Sequence, residues 1–193
     1  MSELSVGQLK GLLANNNVIT VPSGHTIYAP GSVVQVQTVR SDSRTTISSL
    51  NSGNGTTITQ LNLSISPKFA NSRLLIQWMV NCEVNNNNVF LIHKNGSLIT
   101  TAGETGYNSE SGIARWSGFV SANYDQDVNS TPDNYFIQYS CIAGSTASQV
   151  FAPAIKSTDA TSYTFFLNRT ANNTGQDGYE TMVSTGTIWE IAQ

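Results

Sequence analysis

Two histidines, two cysteines and one acidic loop are the places in this 193-residue sequence where side-chain chemistry could concentrate. Neither His25 nor His93 falls in a metal-binding spacing such as His-Glu-x-x-His, and no Gly-x-Ser-x-Gly turn presents a nucleophilic serine. His93 closes a strand-like run beside a hairpin signal, which suits a structural or exposed residue. Cys82 and Cys141 lie in runs that read as strands, where a thiol behaves as a small buried hydrophobe. A disulfide, or a metal or nucleophilic role, remains as an alternative, although no Cys-x-x-Cys spacing or neighbouring histidine accompanies either residue. Asp125, Asp127 and Asn129 match the first three oxygen ligands of a calcium loop. The match then fails, because Ser130 stands where the sharp turn wants glycine and Phe136 where a bidentate glutamate should close the site. That segment is expected to be a surface loop, with a cation site of another kind as the alternative. Asn-x-Ser/Thr triplets at Asn54, Asn62, Asn95, Asn129, Asn168 and Asn172 look like glycosylation acceptors, but so much Asn, Ser and Thr yields roughly 4 or 5 by chance. The expectation is a non-enzyme with no catalytic, cofactor-binding or metal-ligating residues.

Composition narrows the classes further. Only 11% of residues are charged, against roughly 25% in an average soluble domain. Polarity is carried instead by 24 Ser, 21 Thr and 20 Asn. The net charge is -3 and the nine Lys and Arg are scattered, so there is no basic footprint for nucleic acid or an anionic membrane surface. No apolar run reaches the roughly 18 residues of a membrane-spanning helix. The opening Met1-Ser2-Glu3-Leu4 lacks the basic-then-apolar pattern of a secretory signal. Seventeen aromatics among so few charges argue for a folded core rather than disorder.

The elements that must position any site read as strands. In 58–66, Leu61, Leu63 and Ile65 alternate with Asn62, Ser64 and Ser66, one face buried and one wet. After a turn at 67–72, Leu74, Ile76, Trp78, Val80, Cys82 and Val84 hold one side of a long strand, the strongest period-2 signal in the chain. Residues 89–93 meet 97–101 across Lys94-Asn95-Gly96, and Asn-Gly is the preferred pair for a type I′ hairpin. Further strands are expected at 31–40, 113–122, 134–143, 148–152, 162–169 and 182–191, separated by Gly, Asn, Asp, Ser and Pro clusters. This pattern predicts an all-β chain, an antiparallel jelly-roll-like β-sandwich over residues 31–193.

Residues 1–30 differ. Leu4, Val6, Leu9, Leu12 and Leu13 could share one side of a short helix, interrupted by Gly7 and Gly11 and ended by Asn15-Asn16-Asn17. Val18, Ile19, Val21, Ile27 and Tyr28 follow in a stretch punctuated by Pro22, Gly24 and Pro30, more plausibly extended than helical. Such a segment carries apolar side chains without forming a core of its own, and reads as an arm that lies along another surface. Trp78 belongs to the core face, whereas Tyr107, Trp116 and Tyr124, with Asp125 and Asp127, fall near loops. They are the candidates for an exposed ligand loop, where aromatic faces could stack on sugars and carboxylates could bind hydroxyls.

The stretch Asn16-Asn17-Val18-Ile19-Thr20-Val21-Pro22-Ser23-Gly24-His25-Thr26-Ile27-Tyr28-Ala29-Pro30-Gly31 resembles the N-terminal part of small virion structural proteins of tailed bacteriophages, notably those of cyanobacteria and marine bacteria. Ile65-Ser66-Pro67 followed by Asn71-Ser72-Arg73-Leu74, the hairpin His93-Lys94-Asn95-Gly96-Ser97, and the terminal Gly186-Thr187-Ile188-Trp189-Glu190-Ile191 fit the same group. The resemblance implies a capsid decoration or cement protein, or a tail or head fibre component, commonly a homotrimer, on a virion surface after assembly in the host cytoplasm. It implies the major capsid protein or another virion protein as partner, and brings no catalytic residue and no cofactor. An arm with one domain, and no heptad or repeat region for a shaft, favours capsid cement. The alternative is a fibre protein that binds a host-surface glycan.

Overall fold

The computed structural model describes residues 11, 13, 20–49, 54–84, 87–99, 120–121, 132–158, 160–172 and 180–193. Among these the chain is all-β, and every strand pairing is antiparallel within one of two sheets. The first sheet is organised on β5 (Arg73–Val84). One edge of β5 pairs with β9 (Asp133–Ile142) along its whole length. The other edge is shared, with β12 (Ser184–Ile191) taking Arg73 to Met79 and β11 (Tyr163–Leu167) taking Cys82 to Val84. Outside these, β12 pairs with β1 (Val33–Ser41) and β11 with β2 (Thr45–Ser49). In the second sheet, β10 (Gln149–Ser157) pairs on one edge with β3 (Thr56–Thr57) and β4 (Leu63–Ile65). Its other edge pairs with β6 (Asn88–Lys94), which in turn meets β7 (Ser97–Leu98) and β8 (Val120–Ser121).

The alternation in β5 holds residue for residue. Leu74, Ile76, Trp78, Val80, Cys82 and Val84 are buried, and they pack in one core with Phe90, Ile92, Phe151 and Ile155 of the facing sheet. Phe90 bridges the layers, its ring 4.9 Å from Tyr135 and 6.1 Å from Phe165. Each such side chain contributes about 1.5–3 kcal/mol by leaving water. The Asn95-Gly96 hairpin also forms as expected, both residues at positive φ of 52° and 78°.

Three local differences have physical causes. The run 58–66 is not one strand, because a 3-10 turn at Thr59–Leu61 precedes β4 and aims the Leu61 carbonyl at the Trp78 indole N–H, 3.0 Å away. β2 lacks an apolar pattern because its second inward position is Ser49, which donates a buried hydrogen bond to Asn88. The central strand of the second sheet, β10, runs on to Ser157 rather than stopping at 152, since it is buried on both faces and carries no alternation.

At the point where β12 gives way to β11 along β5, one polar cluster fills the gap. Asn168 is fully buried with φ of 56°; its Nδ2 donates to the Ser41 and Ser43 carbonyls at 2.9 and 3.1 Å, and its Oδ1 accepts from Ser184 Oγ at 2.6 Å. Its backbone N–H donates to the Asn81 carbonyl at 2.9 Å, while the Asn81 N–H donates to Ser184 Oγ. Every strand that ends there is thus tied to one amide side chain.

Candidate attachment surface

Residues 20–32 carry no regular secondary structure and are mostly exposed. Two tight turns shape them. His25 N donates to the Pro22 carbonyl around Gly24, and Ser32 N donates to the Ala29 carbonyl around Pro30-Gly31. The glycines sit at φ of 86° and 84°, the third position of a type II turn, which favours residues without a Cβ. The segment is tethered at its C-terminal end. Gly31 N donates to the Ala192 carbonyl at 2.8 Å and Ala192 N returns a bond to Ser32 at 3.0 Å. The Tyr28 hydroxyl donates to the Gln193 carbonyl, and its ring stands edge-on to Phe69 with centroids 4.8 Å apart.

Phe69 belongs to the turn at 67–72, and a single carboxylate holds that turn. Glu190 is fully buried; it accepts from the backbone N–H groups of Lys68 and Phe69, from Ser72 Oγ at 2.7 Å and from Gln35 Nε2 at 2.6 Å. Burial alone pushes the Glu190 carboxyl up. The hydrogen bonds from Gln35, Lys68, Ser72 and Phe69 together outweigh it and hold the group below its ordinary value, so the site is built for the anion.

What the tethered segment offers outward is apolar. Leu13 is 83% exposed, Ile27 60% and Val33 54%, and Val21 and Tyr28 are also exposed. Val21, His25, Ile27, Ala29, Val33 and Val34 line an open groove of about 400 Å³. The groove runs onto the outer face of the first sheet, where strand register sets two adjacent rows across four strands. One row is Val33, Ile191, Arg73 and Ile142; the next is Val36, Trp189, Leu75 and Ser140. Val36 and Ile142 are exposed, and Leu75, Trp189 and Ile191 are half-buried. Sequence reasoning missed this stripe. Its signal was present in the register, since Val36, Leu75, Trp189 and Ile142 all occupy the outward parity of their strands.

Of the sequence-predicted attachment residues, the structure places Leu13, Val21, Ile27 and Tyr28. Val21 and Ile27 meet in the groove, whereas the Tyr28 ring turns toward its own domain. Leu4, Val6, Leu9, Leu12, Val18 and Ile19 lie outside the described residues, as do Tyr107, Trp116, Tyr124, Asp125 and Asp127 of the ligand-loop candidate. His93 is buried, its Nε2 2.9 Å from the Asn54 carbonyl and its Nδ1 2.7 Å from Thr57 Oγ1. A carbonyl only accepts, so Nε2 carries the proton toward Asn54. Cys82 and Cys141 are both buried thiols at opposite ends of the β5–β9 ladder, Cys82 opposite Asp133 and Cys141 opposite Leu74, so no disulfide joins them. Burial, with Asp133 and Glu83 adding negative charge, pushes the Cys82 thiol well above its ordinary value, which leaves it unreactive. Asn168 has both Nδ2 hydrogens engaged in the interior and offers no glycan acceptor. Lys156 is a further buried polar residue that periodicity did not single out, and burial lowers its pKa from the ordinary value.

Trp78 anchors the core beneath this surface, and Gly186 of β12 makes room for it. A Cβ at Gly186 would lie 2.5 Å from the indole Cδ1 and 2.9 Å from Nε1. Gly186→Ala should therefore cost about 1–3 kcal/mol through overpacking. Thermal unfolding followed by Trp fluorescence measures it, and an unchanged Tm would contradict the packing described. Compared with protein-family models and with curated proteins, the sequence matches none.

Proposed function

We propose that this chain is a bacteriophage virion structural protein, a capsid decoration or cement protein that grips the outer shell through residues 1–30 while its β-sandwich projects. The observation that carries this reading is the tethered apolar segment. Its base is locked to the last residues of the chain and to the Glu190-held turn, while Leu13, Val21 and Ile27 face outward. A tether of this kind transmits load from an adhesive end to a rigid body. Apolar contact supplies roughly 25 cal/mol per Å² before ordering costs, and it depends little on salt. A surface polar through neutral Ser, Thr and Asn suits a particle exposed to changing ionic strength.

The strand order supports a jelly-roll reading of the domain. Setting β2, β3, β8 and β11 aside as additions, β1-β12-β5-β9 in one sheet and β4-β10-β6-β7 in the other have the order expected of the wrapped double Greek key found in viral capsid and lectin domains. Fold alone does not give function, so the weight stays on the segment.

The test removes the adhesive end and keeps the tether. A chain lacking residues 1–20 should unfold at the same Tm as the full chain and lose at least about tenfold in particle affinity. Undiminished binding would refute the attachment role. Particles deprived of the protein separate cement from fibre: early DNA release on heating supports cement, and normal heat stability with lost host adsorption supports the fibre reading.

A further inference from the structure

The sequence carries two Asn-Gly pairs, Asn54-Gly55 and Asn95-Gly96, and the fold treats them differently. In such a pair the backbone nitrogen after the asparagine is unshielded by a side chain, so it can reach the carboxamide carbon. Whether it does depends on what holds each amide. At Asn95 the carboxamide is committed. Its Oδ1 accepts from Val150 N at 2.8 Å while its backbone N–H donates to the Val150 carbonyl at 2.7 Å, so the side chain completes the pairing of β6 with β10. Turning Cγ toward the Gly96 nitrogen would break that bond.

Asn54 is exposed, and among the described residues nothing hydrogen-bonds its carboxamide. Its peptide oxygen is engaged instead, accepting the Nε2 proton of His93 at 2.9 Å. Strand register places that ring. His93 lies opposite Ala152 and Thr57 opposite Ala154, so all four side chains share one face, and the two alanines leave room for the imidazole to span β10. Thr57 Oγ1, 2.7 Å from Nδ1, donates to it and keeps the ring proton on Nε2. Gly55 can only be glycine, since its φ is 74° and a Cβ there would lie 2.7 Å from the Ile155 carbonyl oxygen.

We infer that Asn54 is a site of spontaneous deamidation promoted by His93, and that Asn95 is protected. The reacting species is the Asn54-Gly55 peptide after its nitrogen has lost a proton to hydroxide, with the negative charge shared between nitrogen and oxygen. The His93 N–H aimed at that oxygen stabilises the charge. The Gly55 nitrogen then bonds to the Asn54 Cγ, the Cγ–Nδ2 bond breaks, and ammonia leaves with a proton from water, which regenerates the hydroxide and closes a five-membered imide. Water opens the imide at either carbonyl, giving aspartate or isoaspartate. Both products add a carboxylate to a chain of net charge -3, directly before the residues that join β3 to β10.

The test holds full-length protein in warm, mildly alkaline buffer, folded and in concentrated urea, and follows each asparagine by peptide mapping with mass spectrometry. In the folded chain Asn54 should convert at least about tenfold faster than Asn95, whereas in urea the two rates should agree within about twofold. His93→Phe keeps a flat ring without the donor, and His93→Ala removes the ring. Each should slow Asn54 at least about fivefold and leave Asn95 unchanged, with folding checked by Tm. A ratio in the folded chain no larger than the ratio in urea would overturn the inference whether or not the variants fold. A folded His93 variant that deamidates Asn54 at the wild-type rate would overturn it too.

Discussion

Glu190→Ala is expected to lower the unfolding free energy by about 2–4 kcal/mol, because it removes the fully buried carboxylate that four donors now share. For a chain of this size that is roughly a 10 °C fall in Tm. The Lys68 and Phe69 N–H groups and Ser72 Oγ lose that acceptor, while Gln35 Nε2 keeps its bond to the Ser66 carbonyl at 2.8 Å. The loss should spread to the tether, since the turn holding Phe69 also seats the Tyr28 ring. The same site predicts acid sensitivity. Its folded-state pKa is lowered from an ordinary 4.5, so its stabilisation is fully present above that value and is lost as pH falls through the lowered one. Wild-type Tm should drop as pH falls below about 4.5, and Glu190→Gln should flatten that limb. Parallel acid limbs in the two proteins would show that other carboxylates govern acid unfolding.

Asn168→Ala should cost about 3–5 kcal/mol, for two separable reasons. Three buried side-chain hydrogen bonds disappear, leaving the Ser41 and Ser43 carbonyls and Ser184 Oγ without that amide. Alanine must also hold φ near 56°, which adds about 1–2 kcal/mol of left-handed strain. Asn168→Gly loses the same bonds without the strain, so it should be the milder variant by about 1 kcal/mol. Equilibrium urea unfolding of the three proteins measures both terms. Equal stability of the Ala and Gly variants would remove the strain component.

Much of the framework was legible because apolar residues in this chain alternate wherever one sheet face is wet. β5 and the Asn95-Gly96 hairpin were readable for that reason, one by period and the other by turn chemistry. β2 was not, because its buried positions are Ile47 and Ser49, and the hydroxyl is satisfied by Asn88 from a distant part of the chain. The 3-10 turn hid inside an apparent strand because Ile58 and Leu61 are three apart, a spacing that period-2 reading overlooks. The apolar character of residues 1–30 was visible in residue types alone, whereas the tether at Tyr28 and Gly31 needed the fold to bring the last residues beside them. Glu190 was overlooked although its parity was available: Gly186, Ile188, Glu190 and Ala192 share the inner side of β12, and a carboxylate there requires a cage of donors. Asn168 could not be assigned, since nothing local in Leu167-Asn168-Arg169 announces that three strands end around it.

Gly31 and Ala192 are hydrogen-bonded neighbours, and eight residues of β12 carry the chain from there to the opposite pole at Ser184, roughly 27 Å away. The molecule therefore has a polarity that matters for display. A label at Gln193 sits at the pole that carries the exposed Val21, Ile27 and Val33 side chains, beside that apolar surface. Cargo spliced between Thr158 and Thr161, where β10 has just ended at the far pole, would point away from it.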